Sequence, residues 1–140
     1  MTPKALHHAI IEQTPEAVVF ADRQGLIRLW NPGAEHVYGF TASEALGSSL
    51  DLIIPERFRA AHWRGYERAM ATGEPKLHGK ALPTQAQRKG GELIYVEISF
   101  SLIRDPTGQV HGAASVARDI TERYLKEKAL KARLKEMGAG

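Results

Sequence analysis

The chain has 140 residues, 43% apolar and 25% charged, which suits one compact domain with one core. No apolar run approaches the roughly 18 residues of a membrane span, and the polar start Met1–Gln13 is no signal peptide, so a cytoplasmic location is the default expectation. The absence of cysteine excludes disulfides, thiolate metal sites and cysteine nucleophiles.

The net charge of +3 resides in the tail: from Arg118 onward seven Lys/Arg face four Asp/Glu, whereas residues 1–117 balance at twelve each. That distribution describes a solvated basic helix and argues against nucleic-acid binding.

Pro3–Gln13 reads as a short helix with Leu6, Ile10 and Ile11 on one side. Ala17–Asp22 and Leu26–Trp30 read as two strands joined by the turn Arg23-Gln24-Gly25. Asn31-Pro32 opens a short helix that Gly39 closes, and Thr41-Ala42-Ser43-Glu44 has the form of a capping box. Leu50–Ile54 is a further apolar turn. Pro55 opens the longest central helix, which runs to Thr72 before Gly73. Phe58, Ala61, His62, Gly65, Tyr66 and Ala69 recur at helical spacing and are its expected buried stripe.

The period then changes to two. Lys76–Gln87 is a weakly patterned strand, and Arg88-Lys89-Gly90-Gly91 is a hairpin turn. Glu92–Arg104 is the clearest strand, with Val96, Ile98, Phe100 and Leu102 alternating against Glu97, Ser99 and Ser101. Asp105-Pro106-Thr107-Gly108 turns into a last strand, Gln109–Arg118. Ile120 onward is helical; Ile120, Tyr124, Leu130, Leu134 and Met137 lie along one stripe and Leu125, Ala129 and Ala132 along another, a weak coiled-coil signal. Tight turns make the sheet mostly antiparallel, and the helices between its second and third strands must pack on one face. The expected class is α+β with a pocket between sheet and helices.

That order resembles the PAS family of sensory and dimerisation domains, S-box type. The matching words are Pro15-Glu16-Ala17, Asp22-x-x-Gly25, Trp30-Asn31-Pro32-x-Ala34-Glu35, Tyr38-Gly39-Phe40, Glu44-Ala45-Leu46-Gly47, Gly108 and Arg118-Asp119-Ile120-Thr121-Glu122. The resemblance implies the PAS fold: a five-stranded antiparallel sheet with short helices on one face, an N-terminal helix and a C-terminal signalling helix. It divides the chain into a cap helix (1–14), the sensory domain (15–119) and a linker helix (120–140). It implies a homodimer through the terminal helices and no catalysis within the chain; any output kinase or cyclase lies outside these residues.

Ile54-Pro55-Glu56-Arg57-Phe58-Arg59-Ala60-Ala61-His62 is similar to the helix carrying the axial histidine in heme-PAS sensors, namely rhizobial oxygen-sensing histidine kinases and bacterial direct oxygen sensor phosphodiesterases. The resemblance implies heme b with His62 as axial iron ligand, Arg68 and Lys76 as cations for the propionates, and Leu77, Leu82, Ile98 and Phe100 against the porphyrin. Leu77 and Leu82 have opposite strand parity, so both face a pocket only across a bulge. Those sensors place an arginine or a methionine where Lys80 and Leu82 stand, so CO and NO are expected to bind more readily than a stable O2 complex forms. Two alternatives stay open: a cofactor-free interaction module, and a pocket for noncovalent FAD, FMN or a small metabolite.

Other candidates carry less. His7 and His8 are read as surface residues, His36 as exposed, and His78 and His111 as possible cross-strand neighbours. Trp63, about 100° round the helix from His62, is expected to face away from the pocket or toward a partner subunit. Trp30 is expected to cover the sheet edge. No H-E-x-x-H, nucleotide loop or nucleophile–base pair occurs.

Overall fold

The computed structural model describes residues 1–74 and 81–138. The elements in chain order are α1 (Pro3–Gln13), β1 (Ala17–Asp22), β2 (Ile27–Trp30), α2 (Pro32–Tyr38), α3 (Ala42–Ala45), a 3-10 turn (Leu50–Leu52), α4 (Glu56–Thr72), β3 (Leu82–Gln87), β4 (Leu93–Arg104), β5 (Val110–Asp119) and α5 (Thr121–Glu136). The strands form one sheet of order β2-β1-β5-β4-β3, antiparallel at every pairing. The first and last long strands therefore meet in its middle, with Ala17 opposite Ala117 and Val19 opposite Ser115.

Local chemistry sets the helix ends. The Asn31 and Thr41 side chains cap α2 and α3, and Thr41 and Glu44 complete the expected capping box. Asn31 also serves as a hub. It is 1% exposed. Its Oδ1 accepts from the Val18 and Ala34 amides at 2.8 Å each, and its Nδ2 donates to the carbonyls of Ile11 (2.8 Å) and Glu16 (3.0 Å). One side chain thereby joins the end of α1, the start of β1 and the start of α2, and every polar atom it buries is satisfied.

The core lies between the sheet and the α2–α3 layer: Ala17, Val19, Ile94, Val96, Ile98 and Ala117 from the strands meet Ala34, Val37, Tyr38, Ala45 and Ile53. Trp30, at the end of edge strand β2, is buried and donates from its indole to the Phe40 carbonyl at 3.0 Å. The alternation read in β4 holds for Ile94, Val96 and Ile98 and then opens, leaving Phe100 41% exposed.

Two expectations need correction. The buried side of α4 is centred on Tyr66 and Met70, with His62 and Trp63 partly covered, while Phe58, Ala61 and Gly65 are exposed. The rotation follows from Trp63, the largest side chain on the helix. Its ring fills the space beside Gly25, where an added Cβ would lie 2.2 Å from a ring carbon. The described part of the third strand starts at Leu82 rather than at Lys76; residues 76–80 lie outside the described residues.

At the far end, α5 buries none of its residues. Just ahead of it, Asp119 Oδ1 accepts from the Thr121 amide (2.8 Å) and hydroxyl (2.6 Å). No helix among the described residues is long and apolar enough to cross a membrane.

Candidate functional site

The sheet and helices enclose an apolar cavity of about 190 Å³. Its walls come from every layer: Val19 and Ala21 on β1, Ala86 on β3, Val96, Ile98 and Phe100 on β4, Ala113 on β5, and Tyr38, His62 and Tyr66 on the helices. Space exists there because β1, β3 and β5 present alanines to it, where larger side chains would close the gap. No Lys, Arg, Asp or Glu lines it among the described residues.

Of the residues anticipated from sequence, His62, Ile98 and Phe100 come together around this cavity. Leu82 lies directly opposite Ile98 across the β3–β4 pair and is half-buried, just beyond the lining. Arg68 is exposed on α4, about 240° round the helix from His62, and does not line the cavity. Lys76, Leu77, His78 and Lys80 lie outside the described residues. His111 sits on β5, flanked by β1 and β4, with its Nε2 2.8 Å from the Asp105 carboxylate.

His62 sits one turn before Tyr66, ring centroids 5.7 Å apart, and edge-on to Trp63 at 4.7 Å. Its Nδ1 is buried without a hydrogen-bond partner among the described residues. Burial lowers the imidazole pKa from its ordinary value, against an opposing pull from the Asp51 carboxylate. The ring is thereby biased toward its neutral form, the form that ligates metals.

The helix that presents His62 is held by polar tethers. The Tyr66 hydroxyl lies 2.5 Å from the Asp22 carbonyl oxygen and 3.1 Å from that of Ala21. Burial, then the Asp22 charge, pushes its pKa up to about 12, so it remains a donor. Trp63 donates to Asp51 at 2.8 Å, and Arg59 donates to the carbonyls of Ile54 (3.0 Å) and Asp51 (3.2 Å). Trp63 therefore faces away from the cavity, as its helix position implied, and docks on the β1–β2 turn of its own chain.

Sequence reasoning missed two participants. Tyr38 is fully buried, lines the cavity, and its hydroxyl has no hydrogen-bond partner among the described residues. Gln85 lines the cavity and connects it outward. It accepts from Arg57 on α4 and donates to the Tyr95 hydroxyl at 3.0 Å. Tyr95 stacks on Tyr124 of α5 at 4.0 Å, with ring planes 18° apart. Tyr95 also receives the Ile120 amide on its carbonyl (2.9 Å) and donates its own amide to Thr121 Oγ1 (3.0 Å). Periodicity places such polar residues on a face and says nothing about what they reach.

An antiparallel sheet of this order, with a helical layer closing an apolar cavity, is the PAS architecture. Residues 11–125 match the PAS fold family, and the chain belongs to it. It is 26% identical over 129 residues to the sensor protein FixL of Bradyrhizobium diazoefficiens, covering 92% of this chain and 24% of that protein. It is also 26% identical over 117 residues to the oxygen sensor protein DosP of Escherichia coli, covering 84% of this chain and 14% of that one. The PAS domain of a protein from Colwellia psychrerythraea superposes with a TM-score of 0.74 at 23% identity, covering 86% of this chain and 99% of that domain. The chain thus spans 24% and 14% of the two relatives' lengths.

Proposed function

We propose that this PAS domain is a sensor that binds heme b through His62 and responds to a diatomic gas or to redox state. One observation carries the reading: a neutral-biased imidazole on the wall of an apolar cavity, its buried Nδ1 left without a partner. Leaving such an atom unpaired costs roughly 1–3 kcal/mol, so a ligand is the economical explanation. The similarity of Ile54–His62 to the heme-PAS helix and the relative named an oxygen sensor support it.

The donor set fits heme: one imidazole, mostly apolar walls and no competing anion among the described lining residues. In this reading His62 is the axial ligand, Val96, Ile98 and Phe100 exclude water, and Leu82 extends the apolar surface along β3. Arg68, exposed on α4, and Lys76 are the cations proposed for the propionates. At about 190 Å³ the cavity is below the roughly 300–1,000 Å³ of ligand pockets, so α4 and β3 must part to admit a porphyrin. The Arg57–Gln85 contact is where they meet.

Heme iron supplies reversible binding of CO, NO or O2 and a redox couple. The chain's residues convert occupancy of the pocket into a change at α5. Displacement of β3 acts through Gln85 on Tyr95, and Tyr95 holds the first turn of α5. Gas binding shifts this arrangement only by its differential affinity for the two positions. Exposed Leu6 and Ile10 on α1 and Leu130, Leu134 and Met137 on α5 form the proposed homodimer contact.

The test is the absorption spectrum of protein purified with heme supplied, wild type beside His62→Ala. A Soret band that moves on reduction and on CO addition, and is lost or shifted in the variant, is the expected result. A colourless wild type rejects heme. A long-lived O2 complex would contradict the expectation that CO and NO are the better ligands.

A further inference from the structure

One face of α4 carries three arginines in a row. Arg57, Arg64 and Arg68 are exposed and lie within about 40° of one another round the helix, separated by rises of about 10.5 and 6 Å along it. Other arginines of the chain are engaged: Arg23 on the Val110 carbonyl, Arg28 on Asp22, Arg118 on Glu16 and Arg123 on Glu97. Arg64 and Arg68 make no side-chain hydrogen bond or ion pair among the described residues, and Arg57 meets Gln85 and lies 4.6 Å over the Phe58 ring. Along one edge of the row come exposed Ala61 and Gly65 and then Phe58, 40% exposed. A Cβ added to Gly65 would meet nothing within 4 Å, so the helix backbone is open to close approach there. Glu56 and Glu67 lie about 80–100° round the other edge.

A cationic row with an apolar strip on one edge calls for a partner of matching pattern. We propose that this face of α4 docks an acidic amphipathic helix of a partner protein, whose carboxylates meet the three arginines and whose apolar side covers Ala61, Gly65 and Phe58. Carboxylates at i, i+4 and i+11 reproduce the Arg68–Arg64–Arg57 spacing on an antiparallel helix, and a guanidinium can hold each by two parallel N–H···O bonds. The charges steer and orient the encounter, and the apolar strip supplies buried area. A continuous polyanion such as nucleic acid matches less well, because Glu56 and Glu67 flank the row and Phe58 would stay uncovered. A second copy of this chain also matches poorly: α1 has Glu12 as its one acid, and α5 sets Glu122, Glu127 and Glu136 among lysines and arginines.

The docking face does not depend on iron ligation. Arg64 has no part in the heme reading, so it carries the test, while Arg57 and Arg68 stay native. The probe is a fluorescently labelled, alanine-based helical peptide of about 20 residues with that glutamate pattern and leucines alongside, titrated by anisotropy. Wild type should bind it, and less tightly as salt rises from about 50 to 500 mM, since exposed charges are screened. Arg64→Glu should bind at least roughly tenfold more weakly, and Arg64→Gln should weaken binding in the same direction. Changing the glutamate that faces position 64 to lysine should restore much of the affinity of Arg64→Glu. Failure of wild type to bind at millimolar peptide would overturn the site. Equal affinity for both Arg64 variants, or for a peptide with glutamine at the three glutamate positions, would overturn the arginine row. Tighter binding of a single- or double-stranded oligonucleotide than of the peptide would overturn the partner class.

Discussion

Two tyrosines on the same cavity should respond in opposite directions to the same chemical change. The Tyr66 hydroxyl donates into the carbonyls of Asp22 and Ala21, whereas that of Tyr38 is buried without a partner among the described residues. Tyr66→Phe removes a buried hydrogen bond and strips its acceptors, a cost of about 1–2 kcal/mol. Tyr38→Phe removes a desolvated oxygen and should stabilise the ligand-free domain by up to about 1 kcal/mol. With a urea m-value of about 2 kcal/mol/M, the unfolding midpoint should fall by roughly 0.5–1 M in the first variant and rise by up to roughly 0.5 M in the second. Both rings retain their packing, so the difference isolates the two oxygens. Equal destabilisation by both substitutions would refute the reasoning, because the Tyr38 hydroxyl would then be satisfied in the native protein.

Four further outcomes are expected. Burial lowers the His62 pKa in the folded state, with Asp51 opposing. The stability tied to its neutral form is therefore complete above the unfolded value of about 6.5 and is lost as pH falls from there through the folded pKa; urea midpoints between about pH 7.5 and 5 should slope less in His62→Gln than in wild type. Gly25→Ala places a Cβ 2.2 Å from the Trp63 ring at a φ of +79°, which should cost about 2–4 kcal/mol by thermal unfolding and be partly rescued by adding Trp63→Leu. Asn31→Ala removes a buried hub with four hydrogen bonds and should destabilise by about 3 kcal/mol, read by the same urea assay. Tyr124→Ala removes the stack on Tyr95, worth about 0.5–1.5 kcal/mol, so amide exchange in the first turn of α5 should quicken roughly two- to tenfold while the central sheet is unchanged.

The frame was legible because backbone conformation and period are written locally. Asn31-Pro32, Gly39 and the Thr41–Glu44 box end and start helices by their own chemistry, and the alternation in β4 needs no partner to be seen. The rotation of α4 was not legible, since it is decided by where Trp63 finds room beside Gly25, 38 positions away in the sequence. His62 could be picked out because its neighbours resemble a known helix. Tyr38 could not: its distinguishing property is a hydrogen bond that is missing, and only the assembled core reveals it.

The position of the cavity relative to α5 bears on how a PAS domain of this kind could signal. Cavity-lining Gln85 and junction residue Tyr95 are joined by one hydrogen bond, and β4 carries both Tyr95 and the pocket residues Val96 and Ile98. Along α5 the contacts described are confined to its first turn: Thr121 and Tyr124 on Tyr95, and Arg123 on Glu97 at 3.3 Å. Beyond that turn Leu125, Leu130 and Leu134 are exposed, so the helix is held at its base. Sixteen residues of α-helix extend about 24 Å from that anchor. A shift of a few tenths of an ångström across the short base therefore becomes a displacement several times larger at the far end. In the homodimer proposed above, Leu130 and Leu134 belong to the contact surface, and two helices tilted at their bases would change how they pack. Gain in this arrangement depends on α5 being weakly docked along its length; a helix packed down on the sheet would absorb the same shift at its base.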